Sequence, residues 1–420
     1  MLSERECIFG ETGQAMTLTE AVERALCSHP KARKAWADVR GRAAALGVAE
    51  AGYMPTLSGS AQEIVDDSST VVGDAAYLNS GNRQATYSVS ATLGWVLYDF
   101  GDREAKVDNA AELLTAAQAD HSEILQTILL SVASDYYTAQ AALGAWNAAR
   151  ETEALAKDSL DAATTRADKG VSPISDVLQA ETAYVQAETA SAKAEADWLK
   201  ARGTLAADLT LRPDTEFGLP AVDQGLQPGQ SFQKGIAELI DDAVMRHPAI
   251  LSAEAKVRAA DAARREADAE GWPSISVVAK TGRSDEGIAA AQGLPFHPAI
   301  EQDNYVGVQM TIPLFEGFAR TYKVRQAEAE KAAQEAALDD TRRQVGLEVW
   351  SSYHALRSAT IGLENSGRYL DVAQRSYAVA LRRYTSGAGT MLELLNVQTS
   401  LANARQQRVK SLADWRTSRL

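Results

Sequence analysis

The sequence has no long uninterrupted apolar run. The best stretch, residues 124–133 (ILQTILLSVA), is interrupted by Gln126 and Thr127. A helix needs about 20 predominantly apolar residues to cross a bilayer, so the sequence excludes an apolar membrane-spanning helix. A membrane role would therefore have to come from β-strands.

Residues 1–16 lack the apolar core of a signal peptide, and we expect them to be a cloning remnant, a mis-assigned start or a non-secretory segment.

Basic charge and cysteine are also scarce. Asp and Glu number 56 against 42 Lys and Arg, which gives a formal net charge of −14. Binding to phosphate backbones needs a basic surface, so we expect no nucleic-acid partner. The two cysteines, Cys7 and Cys27, could form one disulfide or remain free, and we favour free thiols; a single pair does not identify the redox compartment.

Motifs for catalysis and cofactor binding are missing as well. The sequence has no His-x-x-x-His pair, no Cys-x-x-Cys, no Walker loop and no Gly-x-Ser-x-Gly. The histidines are scattered, at His29, His121, His247, His297 and His354. We therefore predict that the protein is not an enzyme and uses no cofactor or metal. His29 and His247 each precede a proline, and we expect both to be structural.

Proline is absent from residues 56–172 and 314–420, and these stretches are rich in alanine and charged residues. Such composition is typical of long helices in close contact. We predict helices at residues 18–51, 101–168, 173–207, 236–269, 318–385 and 390–420. At 1.5 Å per residue the two longest would each measure roughly 100 Å.

The chain repeats itself at a spacing of about half its length. Residues 18–57 correspond to residues 236–275, with His29-Pro30 returning as His247-Pro248. A two-copy array of so large a unit indicates internal pseudo-symmetry. The predicted organisation is an N-terminal tail at 1–17, repeat 1 at 18–211, a linker or equatorial segment at 212–235 and repeat 2 at 236–420.

Large residues recur every seven positions in the second long helix. They are Val349, Leu356, Leu363, Leu370, Tyr377 and Tyr384. Small residues stand three positions after each of the first five, at Ser352, Ala359, Ser366, Ala373 and Ala380. A large column beside a small column predicts a coiled-coil seam with closely approaching backbones. The first long helix has a looser version of this pattern, interrupted at Glu153.

Four other stretches alternate apolar and polar residues, which is the period of a β-strand with one apolar face. They lie at about residues 55–65, 86–98, 273–283 and 304–315. Polar segments at 66–84 and 284–304 are expected to be exposed hairpin tips. Four strands cannot close a barrel, and an exposed apolar edge would aggregate. We therefore expect strands from several copies to share one closed barrel.

Two motifs carry a family resemblance. Residues 312–317 (IPLFEG) precede the second long helix, and residues 387–395 (GAGTMLELL) follow it. The chain resembles the TolC family of outer-membrane efflux proteins over residues 18–420. The resemblance lies in these two motifs, in the internal repeat and in the order of the elements. The resemblance implies an α+β membrane protein. Three copies would pool four strands each into a twelve-stranded outer-membrane β-barrel that continues into a long α-helical periplasmic barrel.

The resemblance also implies a function. Such a homotrimeric channel-tunnel would export substrates across the outer membrane of a Gram-negative cell as a passive conduit gated at its periplasmic end. Its partners would be outer-membrane lipid, a periplasmic adaptor (membrane fusion protein) and an inner-membrane transporter, in multidrug efflux or type I protein secretion. Cys7 follows Glu4-Arg5-Glu6 rather than a lipobox, which favours type I secretion or general efflux without a lipid anchor.

By motif match, the resemblance places acidic residues at the periplasmic constriction. Asp176 and Glu393 would form rings whose carboxylates repel one another and attract cations. Asn396 would form an uncharged ring. Without the resemblance, an acid in the first turn of a helix is more simply explained by the helix dipole.

The same match identifies contacts that would close the mouth. Tyr384, Ser175 and Asp176 resemble the set that ties it together, whereas Gly389 stands where an arginine would complete those links. Tyr384 also continues the heptad column and could belong only to the core. Gly170, Gly387 and Gly389 would lie at turns, where they could serve the turn alone or form docking tips for the adaptor.

Two other interpretations remain open from the residues. A soluble coiled-coil scaffold without a pore would explain the seams and the acidity, but not alternating strands at matching places in both halves. A helical protein bound to a membrane surface should have a polar face rich in Lys and Arg. The net charge of −14 argues against it.

Overall fold

In a computed structural model of the chain, the described residues are 15–71, 73–74, 79–223, 235–285 and 300–420. The helices there are α1 (Leu18–Ser28), α2 (Pro30–Ala51), α3 (Asp102–Asp168), α4 (Ile174–Asp208), α5 (Ile236–Arg246), α6 (Pro248–Ala269), α7 (Ala319–Thr385) and α8 (Met391–Thr417). The strands are β1 (Thr56–Thr70), β2 (Ser80–Tyr98), β3 (Ser274–Asp285) and β4 (Glu301–Thr311). α3 and α7 are each 67 residues long, which corresponds to about 100 Å.

The first helix predicted in each half is in fact two helices. The breaks fall at His29 and His247, whose backbones are extended with ψ of 127° and 128°. A following proline disfavours the helical conformation, and this steric effect outweighs the continuous helical pattern. Each imidazole Nδ1 then accepts a hydrogen bond from an amide of the next helix, Lys31 at 3.1 Å and Ala249 at 3.2 Å. Both histidines therefore have the structural role that we expected.

The four strands form one antiparallel sheet in the order β1-β2-β3-β4. Its register runs from Thr56 opposite Gly94 at one end of the first hairpin to Thr70 opposite Ser80 at the other. Within the described part of the chain, β1 and β4 are the two edges of the sheet, and each pairs along one side only.

Several strand boundaries differ from the prediction. Pairing of β1 with β2 continues through residues 66–70 and 80–84, which we had predicted as a loop. The ladder is formed by backbone groups, so it can continue where side chains no longer alternate. β4 ends at Thr311, before the predicted end at 315, because Pro313 has no N–H to donate to a ladder. Residues 286–299 of the second predicted loop lie outside the described part of the chain.

The chain divides into two compact units. The first unit comprises the described residues of 38–118 and 251–339, and it contains all four strands with the adjoining parts of α2, α3, α6 and α7. Its helices are linked by ion pairs between Arg265 and Asp108 and between Lys331 and Asp261, at 2.8 and 2.9 Å.

The second unit comprises the described residues of 1–37, 119–250 and 340–420. Within it, the predicted heptad column is confirmed along α7, where all six large residues are buried or half-buried. The small residues of the predicted seam are buried or half-buried from Ala359 to Ala380. Ser352 is exposed, so the packed seam does not reach Ser352. Polar contacts fix the register of the packed helices: Ser159 donates to Gln398 at 3.4 Å, and Arg408 to the Leu363 carbonyl at 2.6 Å.

Cys27 is disulfide-bonded, so our expectation of free thiols is wrong. Spacing along a sequence does not report the distance between two cysteines in the fold, which decides whether they can bond. Cys7 lies outside the described residues. Among the residues that the structure describes, no helix combines the length and the apolarity needed to cross a bilayer.

Candidate functional site: two helix corners and an apolar sheet face

The predicted site residues all lie in the second unit, at two turns between helices. We call residues 166–176, between α3 and α4, the first corner, and residues 383–396, between α7 and α8, the second corner. Both long helices end in the same way. A residue just after the glycine donates its amide to a carbonyl five positions earlier, Val171 to Arg166 at 2.9 Å and Ala388 to Arg383 at 2.8 Å. This is the Schellman arrangement that ends many helices.

The three corner glycines are needed for two different reasons. Gly170 and Gly387 have φ of 69° and 81°, the left-handed region that other residues enter only with strain. Gly389 has no such torsion. A Cβ on Gly389 would lie 3.1 Å from both the Arg383 Cβ and the Tyr384 amide nitrogen, so this glycine allows a close approach of the turn to α7. Gly170 and Gly387 are therefore turn glycines.

Tyr384 and Arg166 connect the two corners within one chain. Tyr384 is only 1% exposed, and its phenol oxygen has no hydrogen-bond partner among the described residues. The Arg166 guanidinium lies 5.0 Å from the centre of the Tyr384 ring. It donates to the backbone carbonyls of Tyr384 at 2.7 Å and Thr385 at 3.4 Å. The Tyr384 carbonyl also accepts from the Gly387 amide at 3.0 Å, so Arg166 adds a charged donor to the capped end of α7.

Asp176 and Ser175 lie in the first turn of α4. Asp176 is half-buried, and Ser175 is exposed. Burial raises the pKa of Tyr384, the Asp176 carboxylate raises it further, and Arg166 opposes both effects. The structure therefore brings the charge of Asp176 near the Tyr384 phenol, but it forms no hydrogen bond between them.

Glu393 lies in the first turn of α8. Its amide donates to the side-chain oxygen of Thr390 at 3.2 Å, which caps the helix. Its carboxylate lies 3.6 Å from the Arg383 guanidinium, which also donates to the Ala388 carbonyl at 3.4 Å. Asn396, one turn further along α8, is exposed.

Sequence reasoning identified neither Arg166 nor Arg383. A signal for both was present, because each is a basic residue in the last turn of a long helix and they occupy corresponding places in the two halves. Basic side chains at helix C-termini can bind the last carbonyls and interact favourably with the dipole.

Four helices hold the corners in place. Buried residues from α3, α4, α7 and α8 form one apolar cluster, made of Ala163, Ala180, Ala373, Tyr377, Ala380, Tyr384, Met391, Leu394, Leu401 and Ala404. Half of these are alanines, so the helix backbones approach closely. The positions of the corner side chains are therefore set by a packed core.

A second candidate surface lies on the sheet in the other unit. Val306, Val308 and Met310 of β4 are 80%, 72% and 56% exposed, and Leu57 of β1 is 77% exposed. A sheet in water normally buries its apolar face. Strands of 11 to 19 residues whose apolar face is uncovered have the length and polarity needed in a bilayer.

Aromatic side chains cluster where these strands end. Tyr98 lies 4.6 Å from Phe100 between ring centres, Phe100 lies 5.7 Å from Trp272, and Phe315 lies 5.6 Å from Phe318. All five are exposed. Aromatic girdles of this kind flank the apolar band of membrane β-structures.

Comparison with known proteins agrees with these features. Residues 21–209 and 239–420 match the family model described as outer membrane efflux protein. The chain is 34% identical to protein CyaE of Bordetella pertussis, covering 96% of this chain and 82% of that protein. It is 22% identical to outer membrane protein TolC of Escherichia coli, covering 95% and 80%. The solved structure of CusC superposes with a TM-score of 0.82 at 18% identity, covering 98% of this chain and 93% of that one.

Fold, exposed sheet face and relatives together define an outer-membrane channel that serves efflux or type I secretion. The chain belongs to the outer membrane efflux protein family. Proteins of this family are transport channels rather than enzymes, and they lie in the Gram-negative outer membrane and extend into the periplasm. The alternatives of a soluble coiled-coil scaffold and a membrane-surface helical protein are thereby excluded.

Proposed function

We propose that three copies of this chain form one channel with a twelve-stranded barrel and a tunnel of helices. The observation that carries the proposal is the open sheet, with its unpaired edges β1 and β4 and its uncovered apolar face. In lipid, every backbone group needs a partner, so the edges must be paired. Because each copy contributes an even number of antiparallel strands, β4 of one copy can pair with β1 of the next without breaking the antiparallel pattern.

Exposed apolar residues on the helices of the second unit also support association. Leu178, Val185 and Leu199 of α4 are exposed and share one heptad position. Val372 and Val379 of α7 are likewise exposed and seven residues apart. Seams of this kind need a partner helix, and further copies of the chain would supply it.

We further propose that each chain contains two copies of one structural unit, at residues 18–211 and 236–420, joined by a linker at 212–235 after a tail at 1–17. The paired helix lengths support this, since α1 and α5 have 11 residues each, and α2 and α6 have 22 each. The equivalent helix ends at Gly170 and Gly387 support it further.

The two corners are proposed to be the periplasmic gate. Asp176, Glu393 and Asn396 would line the constriction, and Tyr384, Ser175 and Asp176 would hold it shut. Support comes from the charge of Asp176 beside a buried phenol that has no partner among the described residues of its own chain.

The corners are also the proposed contact for a periplasmic adaptor, which would link the channel to an inner-membrane transporter. Apolar side chains there are uncovered: Val171 is 64% exposed, Ile174 67% and Leu392 61%. Gly170, Gly387 and Gly389 keep the turns compact beside them. Exposed apolar residues grouped at one place on a protein are typical of a docking surface.

The proposed channel is tested by adding detergent-purified protein to a planar lipid bilayer, with the mass of the oligomer measured on the same sample. Uniform current steps from a species of three chains are expected. A folded monomer that gives no current would contradict the proposal.

The gate is tested with Asp176→Ala combined with Tyr384→Phe, which should raise the conductance of the resting channel. An unchanged conductance would remove these residues from the gate.

A further inference from the structure

Glu393 does not present an isolated negative charge. Its carboxylate lies 3.6 Å from the Arg383 guanidinium of the same chain. Both side chains are partly exposed, 39% and 53%, so the pair adds little to stability. It does alter the electric field, because the two opposite charges weaken each other's field nearby, and salt screens what remains beyond about 8–10 Å.

The backbone around Gly389 holds Arg383 in this position. The turn crosses the end of α7 so closely that a Cβ on Gly389 would lie 3.1 Å from the Arg383 Cβ. The carbonyl of Arg383 accepts hydrogen bonds from the amides of Ala388 and Gly389, at 2.8 and 3.0 Å. Its guanidinium also donates to the Ala388 carbonyl at 3.4 Å. The side chain is therefore directed along the turn toward the first residues of α8.

Asp176 has a different environment. Among the described residues it forms no ion pair, and the nearby Arg166 guanidinium is bound to the carbonyls of Tyr384 and Thr385. The Asp176 carboxylate lies close enough to Tyr384 to raise the pKa of its phenol. The two acidic positions are therefore not equivalent: Glu393 has an ion-pair partner in its own chain, whereas Asp176 has none among the described residues.

We propose that Arg383 is a specificity-determining residue that neutralises Glu393 and so limits the preference of the channel for cations. The inference rests on the proposed position of Glu393 at the constriction. In a trimer, three Glu393 carboxylates would be matched by three Arg383 guanidinium groups. The net negative charge at the constriction would then come from Asp176, and the Glu393 level would admit anionic groups that a bare acidic ring would repel.

The test is the reversal potential of single channels in a potassium chloride gradient centred on about 0.1 M, where screening is incomplete. Arg383→Gln should raise the cation-to-anion permeability ratio roughly threefold, because it uncovers the carboxylate. Glu393→Gln should lower the ratio by a similar factor, because it leaves Arg383 unpaired. The double variant should return close to the original ratio. Arg383→Lys, which keeps the charge, should also leave it nearly unchanged.

Arg382→Gln is the matched control, since Arg382 is the exposed neighbour on α7 and forms no ion pair among the described residues. It should leave the ratio unchanged. A shift with Glu393→Gln but none with Arg383→Gln would overturn the inference about Arg383, while Glu393 would still be assigned to the constriction. If channels of both variants still conduct and neither shows a shift, the inference about Arg383 and the proposed position of Glu393 at the constriction are both overturned. Oligomer mass and thermal stability measured on each variant identify any that fails to assemble, and Arg383→Lys then decides whether the charge matters.

Discussion

Arg166 and Arg383 stand at equivalent places in the two corners, but their guanidinium groups bind different partners. Arg166 reaches from one corner to the other and binds the carbonyls of Tyr384 and Thr385. Arg383 stays within its own corner, at Ala388 and Glu393. A single arginine position thus serves as a tie between corners in one half and as a counter-charge in the other.

Replacing Arg166 by Gln should loosen the second corner. Hydrogen bonds from a charged donor contribute about 1.5–3 kcal/mol each, and the carbonyls of Tyr384 and Thr385 would lose theirs. We expect faster hydrogen–deuterium exchange of amides in residues 383–390, measured by mass spectrometry. Arg382→Gln is the control and should exchange like the unmodified protein. Equal exchange in both variants would show that Arg166 does not stabilise this corner.

We expect Asp135 to give the second unit a pH-dependent stability. Burial raises the pKa of Asp135 from 3.8 to about 6, and a hydrogen bond to the Asp208 carboxyl adds to the effect. Ser131 also donates to Asp208, at 3.2 Å. The protonated form is favoured in the fold, so the folded state holds this proton to a higher pH than the unfolded chain does.

The sign of the pH effect follows from that raised pKa. Stability should fall as the pH rises from about 4 to about 6, and the loss should be complete above that range. Asp135→Asn should remove this dependence and stabilise the protein at pH 7, as judged from its resistance to chemical denaturation at several pH values. Asp161→Asn, at an exposed position of the same helix, is the control. A pH dependence that survives in Asp135→Asn would assign it to other groups.

At the scale of elements, the seam along α7 depends on small residues as much as on large ones. Ala373 and Ala380 are 4% and 5% exposed and belong to the same buried cluster as Met391 and Leu394. Small side chains on one column let the helix backbones come close enough for the large column to interdigitate. The close packing of the seam in turn fixes the end of α7 and hence the second corner.

Ala380→Leu should therefore destabilise the helix pairs. Adding methylenes to a packed core typically costs about 1–3 kcal/mol. We expect a lower unfolding midpoint in denaturant and greater protease sensitivity near the second corner. Ala378→Leu, two residues away on an exposed position of α7, adds the same atoms and should have little effect. Similar losses in both variants would indicate that the packing at Ala380 is not tight.

The elements were more predictable than the contacts. The ends of α3 and α7 at Asp168 and Thr385 followed from the absence of proline and from the glycine turns, because these signals are local. The split at His29 was missed because a helical pattern on both sides masked a steric effect of one proline. The pairing of Arg383 with Glu393 depends on the path of the turn, which residue spacing alone does not report.

At the scale of the whole molecule, lipid contact requires that one face of each strand stay apolar. Val308 is 72% exposed on β4, and Gln309, its neighbour, points to the other face. Val308→Arg should lower the yield of channel folded into lipid vesicles, since an arginine facing the middle of a bilayer costs about 2–4 kcal/mol. Gln309→Arg is the matched control and should insert normally. Equal yields would place Val308 away from lipid.

The two open edges of the sheet have a genetic consequence. A chain whose β1 edge is intact but whose β4 edge is damaged could still join a growing ring and then prevent its closure. In a cell making equal amounts of normal and damaged chains, random mixing in the proposed trimer would leave about one eighth of the rings wholly normal. Mutations at the edge of β4 should therefore be dominant over the normal allele, whereas mutations that prevent a chain from folding should be recessive.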